Sequence, residues 1–306
     1  MKRISFVIPV FRNENAVTAT YQQIRQVLVS DLANYGYEIV FVDDGSDDGS
    51  LPELLAIRSA DENVRVVSFT RNFGQMSAIL AGFKQATGDV VIQLSADLQD
   101  PITLVPRMMA EYERGSEVVA CYREHRQDAL TRRLTSRAFY GILRLSLPQI
   151  PAGGFDYLLL DRKVVDAFNA VEVRNRFFQG DVLWFGYKTT FIPYTRLKRE
   201  IGRSQYTPAK RLKNSLDAIL DSSYLPIRFI SLVGVLTAVT GFLYAADIVY
   251  ARLRHDIPAT GIAPIMILVL IIGGTLMLML GILGEYVWRI YDEVRGKPNY
   301  IVRKIY

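Results

Sequence analysis

The chain has 306 residues, of which 50% are hydrophobic and 22% are charged, so we expect a water-soluble part joined to an apolar part. The formal net charge of +5 is modest and gives no reason to expect nucleic acid as a partner. Cys121 is the only cysteine, which excludes an intrachain disulfide and fits a reducing cytoplasmic location.

Up to about Gly115, short β-rich runs alternate with segments of helical period. The first run, ISFVIPVF, ends too early for a signal peptide, and we interpret it as a strand. Strands that are apolar throughout and separated by helices predict a mostly parallel sheet covered on both faces, as in Rossmann-like α/β nucleotide-binding domains. The predicted helices cover Ala16–Leu32, Leu51–Ala60 and Met76–Ala86.

Polar residues follow the ends of three of these strands. In such sheets the ligand lies beyond the carboxyl ends of the strands, so we expect the site there. The segments concerned are Pro9–Glu14, Asp43–Asp48 and Ser95–Asp100. The remainder of the soluble domain, from Glu117 to about Tyr206, is rich in arginine, and we interpret it as the second half of a domain that covers 1–206.

A basic amphipathic segment, 207–226, follows this domain. Its apolar residues recur at helical spacing and its lysines and arginines lie near the start, which favours a helix in the membrane interface over an ordinary surface helix. Both interpretations stay open.

Two apolar stretches come next. Phe229–Ala246 has 18 uncharged residues and Ile262–Leu283 has 22. As helices they would be about 27 Å and about 33 Å long, enough to span a bilayer. Buried core helices are the alternative, but too little soluble protein remains to cover them. We expect spanning helices over 227–251 and 261–287, followed by a tail over 288–306.

Basic residues flank this predicted hairpin on the side of both chain ends. They predict a multi-pass inner-membrane protein whose soluble domain and both termini lie in the cytoplasm. The loop arginines Arg252 and Arg254 weaken this prediction slightly.

Three motifs at the strand ends carry the chemistry: VIPVFRNEN, VDDGSDDGS and the stretch from RNFG to SADLQDP. Alone, the second could be an acidic turn that caps a helix. In this order and spacing, however, the three closely resemble the inverting family 2 glycosyltransferases with a GT-A fold, over about Ser5–Pro101.

The resemblance implies a divalent cation, Mg²⁺ or Mn²⁺, which would neutralise the leaving diphosphate. The family holds it with an acidic D-x-D segment, which here reads Ser95-Ala96-Asp97-Leu98-Gln99, so Asp97 and Gln99 are the implied ligands. Serine at the first position leaves the number of protein ligands open. The resemblance also implies a nucleotide-binding group, with a capping role for Arg71 as the alternative: Pro9, Phe11, Glu14, Asp43, Asp44 and Arg71.

The downstream half, with LTSRAFYGIL and GGFDYLLLDRKVV, looks like the polyprenyl-phosphate glycosyltransferases. A lipid phosphate is already anionic and needs cations rather than a general base. Asp156 is the implied catalytic residue that orients acceptor or sugar, with helix capping as the alternative, although a leucine, Leu158, replaces the arginine that often follows it in relatives. The implied contacts to acceptor phosphate or diphosphate, each otherwise a surface charge, are Arg123, Arg133, Ser136, Arg199 and Arg203.

The expected reaction therefore moves a hexose, glucose from UDP-glucose, onto undecaprenyl phosphate or a similar lipid with inversion. GDP-mannose, a UDP-N-acetylhexosamine or a UDP-linked modified pentose remain alternative donors, and a decayed sugar-nucleotide-binding scaffold is the non-enzymatic alternative. A downstream flippase and transferase are expected, and a homo-oligomer is left open. A processive synthase is disfavoured, because the chain has too few spans and no Q-x-x-R-W segment.

Overall fold

A computed structural model of the protein describes residues 1–124, 139–151, 153–171, 173, 176–197, 225–255 and 262–306. Two compact units are present, one comprising Met1–Ser222 with Pro298–Tyr306 and the other Ser223–Lys297.

The first unit is built on an eight-stranded sheet. Its strands are β1 (Arg3–Val10), β2 (Gly36–Asp43), β3 (Val64–Phe69), β4 (Val90–Gln93), β5 (Val118–Arg123), β6 (Phe155–Asp161), β7 (Thr189–Tyr194) and β8 (Val302–Ile305). Its helices are α1 (Ala16–Ser30), α2 (Ser50–Ala60), α3 (Gln75–Gln85), a 3-10 turn (Ile102–Leu104), α4 (Val105–Glu113), α5 (Arg162–Ala170) and α6 (Phe178–Trp184). The second unit holds α7 (Leu225–His255) and α8 (Ile262–Val294).

The strands lie in the order β7-β5-β6-β4-β1-β2-β3-β8. β1 pairs in parallel with β2 and β4, and β2 pairs in parallel with β3. β6 is antiparallel to both β4 and β5, β7 is parallel to β5, and β8 is antiparallel to β3. Only β6 and β8 therefore run against the other strands. The mostly parallel sheet expected from the sequence is confirmed, with β1 to β5 and β7 all ending at one edge.

Alternation along the strands explains why helices cover both faces of the sheet. In β1, Phe6 and Ile8 belong to a core that includes Ile24 of α1, whereas Val7 belongs to a second core that includes Ile79 of α3. Neighbouring residues of a strand point to opposite faces, so a strand with both sets apolar must be covered twice. This arrangement leaves the ends of the strands as the place for polar chemistry.

The end of the chain differs from the expected tail over 288–306. Residues 288–294 continue α8, and Val302–Ile305 forms the edge strand β8 of the first unit. A strand of four residues, two of them charged, gives almost no local signal in a sequence, and only the pairing with β3 reveals it.

The second unit contains two helices that are long and apolar enough to cross a membrane. Their apolar windows are Ile227–Tyr244 and Ile271–Val294, with mean hydropathy 1.8 and 1.6. Only 6% and 0% of these windows are buried, which fits helices that face lipid better than core helices of a soluble domain. The two helices also contact each other, since Met279 of α8 lies against Gly234 of α7.

Several expected features fall outside the described residues. These are the proposed phosphate contacts Arg133, Ser136, Arg199 and Arg203, and nearly all of the predicted interfacial helix over 207–226.

Candidate active site

The loop after β2 brings the two aspartates of the VDDGS motif into the protein. Asp43 is the last residue of β2 and Asp44 follows it, and both side chains are buried. Gly45 has a φ of 69°, and a Cβ on it would clash with the backbone of Arg71. Glycine therefore lets this loop approach the RNFG loop after β3 closely.

Asp44 fixes the RNFG loop through two backbone hydrogen bonds. The amide of Phe73 donates to Oδ1 at 2.6 Å and the amide of Gly74 donates to Oδ2 at 2.9 Å. The guanidinium of Arg71 lies 4.1 Å from the centre of the Phe73 ring. Burial raises the pKa of Asp44 to about 6, although the two amides and Arg71 act against this rise. Asp44 and Arg71, both predicted nucleotide-binding residues, thus belong to one structural unit.

Asp43 is held from the other side. Its Oδ1 accepts from the amide of Ser46 at 3.1 Å and its Oδ2 from the hydroxyl of Ser68 at 3.3 Å. Burial raises the pKa of Asp43, although these hydrogen bonds oppose the rise. The neighbouring carboxylates are therefore held rigidly at the carboxyl ends of β2 and β3.

The β1 loop supplies the remaining residues of the predicted nucleotide group. Pro9 is buried within β1, opposite Val42 of β2 in the parallel register, and Phe11 follows the strand half-buried. Glu14 is exposed, and its carboxylate lies against Gly49, where a Cβ would be 2.5 Å from Oε1. The three residues lie at the same sheet edge as Asp43, which is the geometry that nucleotide binding requires.

The SADLQD segment after β4 forms a tight acidic turn. Leu98, between the two predicted metal ligands, has a φ of 59°, a left-handed conformation that is strained for a leucine. The hydroxyl of Ser95 lies 2.8 Å from Oδ1 of Asp97 and 2.7 Å from Oδ2 of Asp100. A hydroxyl has one proton and cannot donate to both carboxylates at once. The turn therefore concentrates oxygen ligands at one point.

This oxygen set fits a divalent cation. Mg²⁺ and Mn²⁺ prefer carboxylate and hydroxyl oxygens, and Mg²⁺ is commonly held by one or two carboxylates together with substrate phosphates. Within the described residues there is no group of three or more acidic, histidine or cysteine side chains that could hold a metal. Gln99 belongs to the same turn, and its side-chain Nε2 donates to the carbonyl of Leu197 at 3.2 Å. A cation here would depend on the donor's diphosphate for much of its coordination.

Two residues of the β7 end complete the acidic turn, and the sequence did not single out either. The hydroxyl of Tyr194 donates to Oδ1 of Asp100 at 2.7 Å. Arg196 has Nη2 3.8 Å from Oδ2 of Asp97 and Nε 3.9 Å from Oδ1 of Asp100. These ion pairs are long, and Arg196 Nε is buried without a hydrogen-bond partner in the described part of the chain. The guanidinium thus brings positive charge to within 4 Å of both carboxylates of the acidic turn.

The predicted acceptor residues Arg123 and Asp156 come together where β5 ends and β6 begins. Nη2 of Arg123 lies 2.9 Å from Oδ2 of Asp156, and Nε2 of Gln179 donates to Oδ1 of Asp156 at 3.0 Å. Burial lowers the pKa of Arg123, but Asp156 and Tyr194 outweigh this and raise it, so the guanidinium stays charged. Gly154 makes room for Gln179, because a Cβ there would clash with its side chain.

Tyr194, Arg196 and Gln179 were missed because they reach the site from positions distant in sequence. Gln179 begins the segment QGDVLW, near the place where a processive synthase would carry Q-x-x-R-W, and the glutamine itself is the only local signal in this segment. Nothing in the local pattern around Tyr194 or Arg196 distinguishes them from ordinary strand-end residues.

The site can be compared with known proteins. The family model described as glycosyl transferase family 2 matches residues 5–168, which contain the acidic turn, the predicted nucleotide-binding residues and the Arg123–Asp156 pair. The chain belongs to glycosyl transferase family 2. Over 304 residues it is 35% identical to the SfII prophage-derived bactoprenol glucosyl transferase of Shigella flexneri, covering 99% of this chain and 98% of that one.

A further relative is similar to this family 2 member over its full length. The prophage bactoprenol glucosyl transferase homolog of Escherichia coli K12 is 33% identical over 305 residues, covering 99% of each chain. Among solved structures, the glucosyl-3-phosphoglycerate synthase of Mycobacterium tuberculosis in complex with Mn²⁺, UDP-glucose and phosphoglyceric acid has a TM-score of 0.51 at 16% identity, covering 71% of this chain and 77% of that one. This likeness confirms the GT-A-type fold that the sequence resemblance implied.

Proposed function

We propose that this enzyme transfers glucose from UDP-glucose to a polyprenyl phosphate of the undecaprenyl type, with inversion at the anomeric carbon. The full-length similarity to bactoprenol glucosyl transferases is the observation that carries this proposal. The acidic turn and the Arg123–Asp156 pair support it, because the reaction needs both a leaving diphosphate and an anionic acceptor to be held at one sheet edge.

In the donor half, Asp43 and Asp44 would accept hydrogen bonds from the base and ribose, while Pro9, Phe11 and Glu14 line the base. Arg71, seated on Phe73, would contribute positive charge close to Asp44. Because Asp44 is held by two amides, its orientation needs no rearrangement when the nucleotide arrives.

At the acidic turn, Asp97 with Gln99 would hold Mg²⁺ or Mn²⁺, which neutralises negative charge on the leaving diphosphate. Arg196 would contact the same diphosphate from the β7 side, since its guanidinium already lies within 4 Å of both turn carboxylates. Arg199 and Arg203, outside the described residues, are proposed to close over the diphosphate as well.

In the acceptor half, Arg123 would bind the lipid phosphate, with Arg133 and Ser136 as further proposed contacts. No general base is needed, because a phosphate monoester is anionic at neutral pH and attacks as it stands. Asp156 would orient Arg123 toward the phosphate, and Gln179 would hold Asp156 in place. The main contribution of these residues is alignment of the two anions and stabilisation of charge.

The long helices α7 and α8 are proposed to anchor the enzyme as a two-span hairpin in the inner membrane. Both termini and the catalytic unit would be cytoplasmic, where sugar nucleotides are available. A flippase would move such a lipid-linked product across the membrane, and a transferase on the far side would then use it.

A donor screen tests the proposal directly. Purified full-length protein would be incubated with undecaprenyl phosphate, Mg²⁺ or Mn²⁺, and labelled UDP-glucose, GDP-mannose, UDP-N-acetylglucosamine or a UDP-pentose in parallel. We expect lipid-linked label with UDP-glucose. Label from another donor would redirect the sugar assignment, and absence of lipid-linked label with every donor despite nucleotide binding would favour the decayed scaffold.

A further inference from the structure

The last nine residues, 298–306, follow the second long helix and lie beside β3, the strand that leads into the RNFG loop. They form β8 and pair with β3, where the Val66 amide donates to the Tyr306 carbonyl at 3.3 Å and the Tyr306 amide donates to the Val66 carbonyl at 2.8 Å. Without this segment β3 would be an edge strand with unpaired backbone groups. The segment runs antiparallel to β3, so its beginning lies at the end of β3 that leads into the RNFG loop.

The beginning of the segment touches that loop through rings and hydrogen bonds. The ring of Tyr300 stacks on Phe69 with 5.0 Å between centroids and an interplanar angle of 12°. Phe69 in turn meets the ring of Phe73 edge-on at 5.8 Å and 88°. The amide of Thr70 donates to the carbonyl of Ile301 at 3.1 Å. Phe69 and Thr70 at the start of the loop therefore contact the C-terminal segment directly, and Phe73 is linked to it through the ring of Phe69.

Two side-chain hydrogen bonds extend this contact on either side. Nη2 of Arg303 donates to the carbonyl of Thr70 at 3.1 Å, and the hydroxyl of Ser77 donates to the carbonyl of Asn299 at 3.1 Å. The loop is thus fixed both at its start and at the first turn of α3. The loop is also attached to Asp44, through the amides of Phe73 and Gly74.

We propose that the C-terminal segment positions the RNFG loop and thereby sets the affinity of the enzyme for its nucleotide donor. The contacts run from Tyr300 through Phe69 to Phe73, whose amide holds Asp44 and whose ring carries Arg71. Tyr300 is a positioning residue, since it acts on the nucleotide pocket through the loop. This inference rests on the proposed function, because it takes Asp44 and Arg71 to be donor-binding residues.

The C-terminal segment follows the long helices directly in the chain. The unit with the long helices ends at Lys297, and the first unit resumes at Pro298, just before the strand that pairs with β3. A cut that removes the apolar helices from the C-terminal side also removes Tyr300. Loss of nucleotide binding in such a truncation would report the missing strand rather than the missing membrane anchor.

A matched pair of tyrosines tests the proposal in the full-length protein. Tyr300→Ala removes the ring beside the loop, whereas Tyr306→Ala removes the same side chain from the other end of the segment, opposite Val66. Tyr300→Phe keeps the stacked ring. For each variant, deuterium exchange of peptides covering residues 70–77 would be measured, together with the Kd for UDP in the presence of Mn²⁺.

For Tyr300→Ala we expect faster exchange at residues 70–77 and a Kd for UDP raised about two- to tenfold, the range expected for losing one aromatic pair. Tyr300→Phe and Tyr306→Ala should match the wild type. Unchanged exchange or unchanged Kd in Tyr300→Ala would overturn the inference, as would an equal loss in Tyr306→Ala. Wild-type protein that bound no nucleotide at all would instead overturn the proposed function.

Discussion

The guanidinium of Arg123 lies 2.9 Å from the carboxylate of Asp156, measured from Nη2 to Oδ2. The pair joins the end of β5 to the beginning of β6, two strands that run in opposite directions and therefore meet at this edge. An arginine oriented by a carboxylate presents its remaining N–H groups in a fixed fork, which suits a phosphate. The two residues thus form one unit, and a proposed acceptor phosphate would meet them together rather than as two independent contacts.

Arg123→Lys should raise the KM for polyprenyl phosphate and lower kcat, because lysine keeps the charge but loses the planar fork that Asp156 orients. We expect kcat/KM to fall by about tenfold or more, the size of one charge-assisted hydrogen bond of about 1.5–3 kcal/mol. Steady-state kinetics with varied lipid measures this.

Arg114→Lys is the matched control, since Arg114 is 72% exposed and pairs with Glu111 across one helical turn. Its kinetics should equal those of the wild type. If Arg123→Lys also left the KM for lipid unchanged, Arg123 would not be an acceptor contact.

Asp97→Asn should abolish metal-dependent transfer, because it removes the charge of one of the two carboxylates beside the Ser95 hydroxyl while keeping the size of the side chain. A loss of at least about a hundredfold in kcat is expected for removing stabilisation of the leaving diphosphate. Titration of activity with Mn²⁺ gives the measurement, and Asp166→Asn, at an exposed carboxylate of α5, gives the control. Full activity in Asp97→Asn would remove this residue from the metal site.

Donor binding should weaken as the pH falls below about 6, because burial raises the pKa of Asp44 to about 6 and only its ionised form accepts from both Phe73 and Gly74. UDP-glucose is the suitable probe, since its diphosphate diester does not titrate in this range. We expect the Kd to rise between pH 7.5 and pH 5, and a pH-independent Kd would exclude Asp44 from the donor site.

The raised pKa of Asp44 also affects the free energy of unfolding, and a fall in pH changes it in the opposite direction to its effect on donor binding. The pKa of Asp44 in the folded protein lies above its ordinary value of 3.8, so the folded state binds the proton more tightly than the unfolded chain. Ionised Asp44 therefore opposes folding at neutral pH, and this penalty decreases as the pH falls from about 6 toward 3.8. A carboxylate kept buried at such a cost is typical of a functional site.

Glu38, at the far end of the sheet from the site, should behave in the reverse way. Burial raises its pKa, but hydrogen bonds from Ser5 and Thr87 and the charge of Arg3 outweigh burial and lower it below 4.5. The stability that Glu38 contributes is thus fully present above pH 4.5 and is lost as the pH falls through the lowered value.

Glu38→Gln should destabilise the protein at pH 7 by about 1–3 kcal/mol, because the amide keeps one acceptor oxygen for the buried donors but loses the charge that faces Arg3 and the second acceptor oxygen. Denaturant unfolding at pH 7 and pH 4 measures the difference, which should shrink at the lower pH. Glu62→Gln, at an exposed position before β3, should leave stability unchanged at both pH values. A difference that grew toward pH 4 would contradict the direction of the Glu38 shift.

The sequence predicted those parts of the fold and site that depend on local patterns. Apolar strands and helical periods located β1 to β4, and the short motifs after them located Asp43, Asp44 and Asp97. Contacts between segments that are distant in the sequence could not be predicted from these local patterns. Tyr194 meets Asp100 across 94 residues, and Gln99 meets Leu197 across 98, with no repeating pattern to announce either contact.

The C-terminal strand is the clearest case of this limit. From the sequence, a chain cut after Pro208 would be expected to keep nucleotide binding and lose only transfer to long-chain lipid. The proposed role of residues 298–306 predicts the opposite result for nucleotide binding, because these residues pair with β3 and contact the start of the RNFG loop. Deleting 298–306 alone, with α7 and α8 retained, should therefore impair UDP binding while the protein still sediments with membranes.

Transfer to the lipid, with its stereochemistry, tests the central claim most directly. Purified full-length protein, UDP-glucose and undecaprenyl phosphate would be combined with Mn²⁺, and the anomeric configuration of the lipid-linked sugar would be determined by NMR. The proposed reaction predicts lipid-linked glucose in the β configuration, inverted from the α-linked donor. A product that retained the α configuration, or no lipid-linked sugar from any nucleotide donor while UDP still bound, would contradict it.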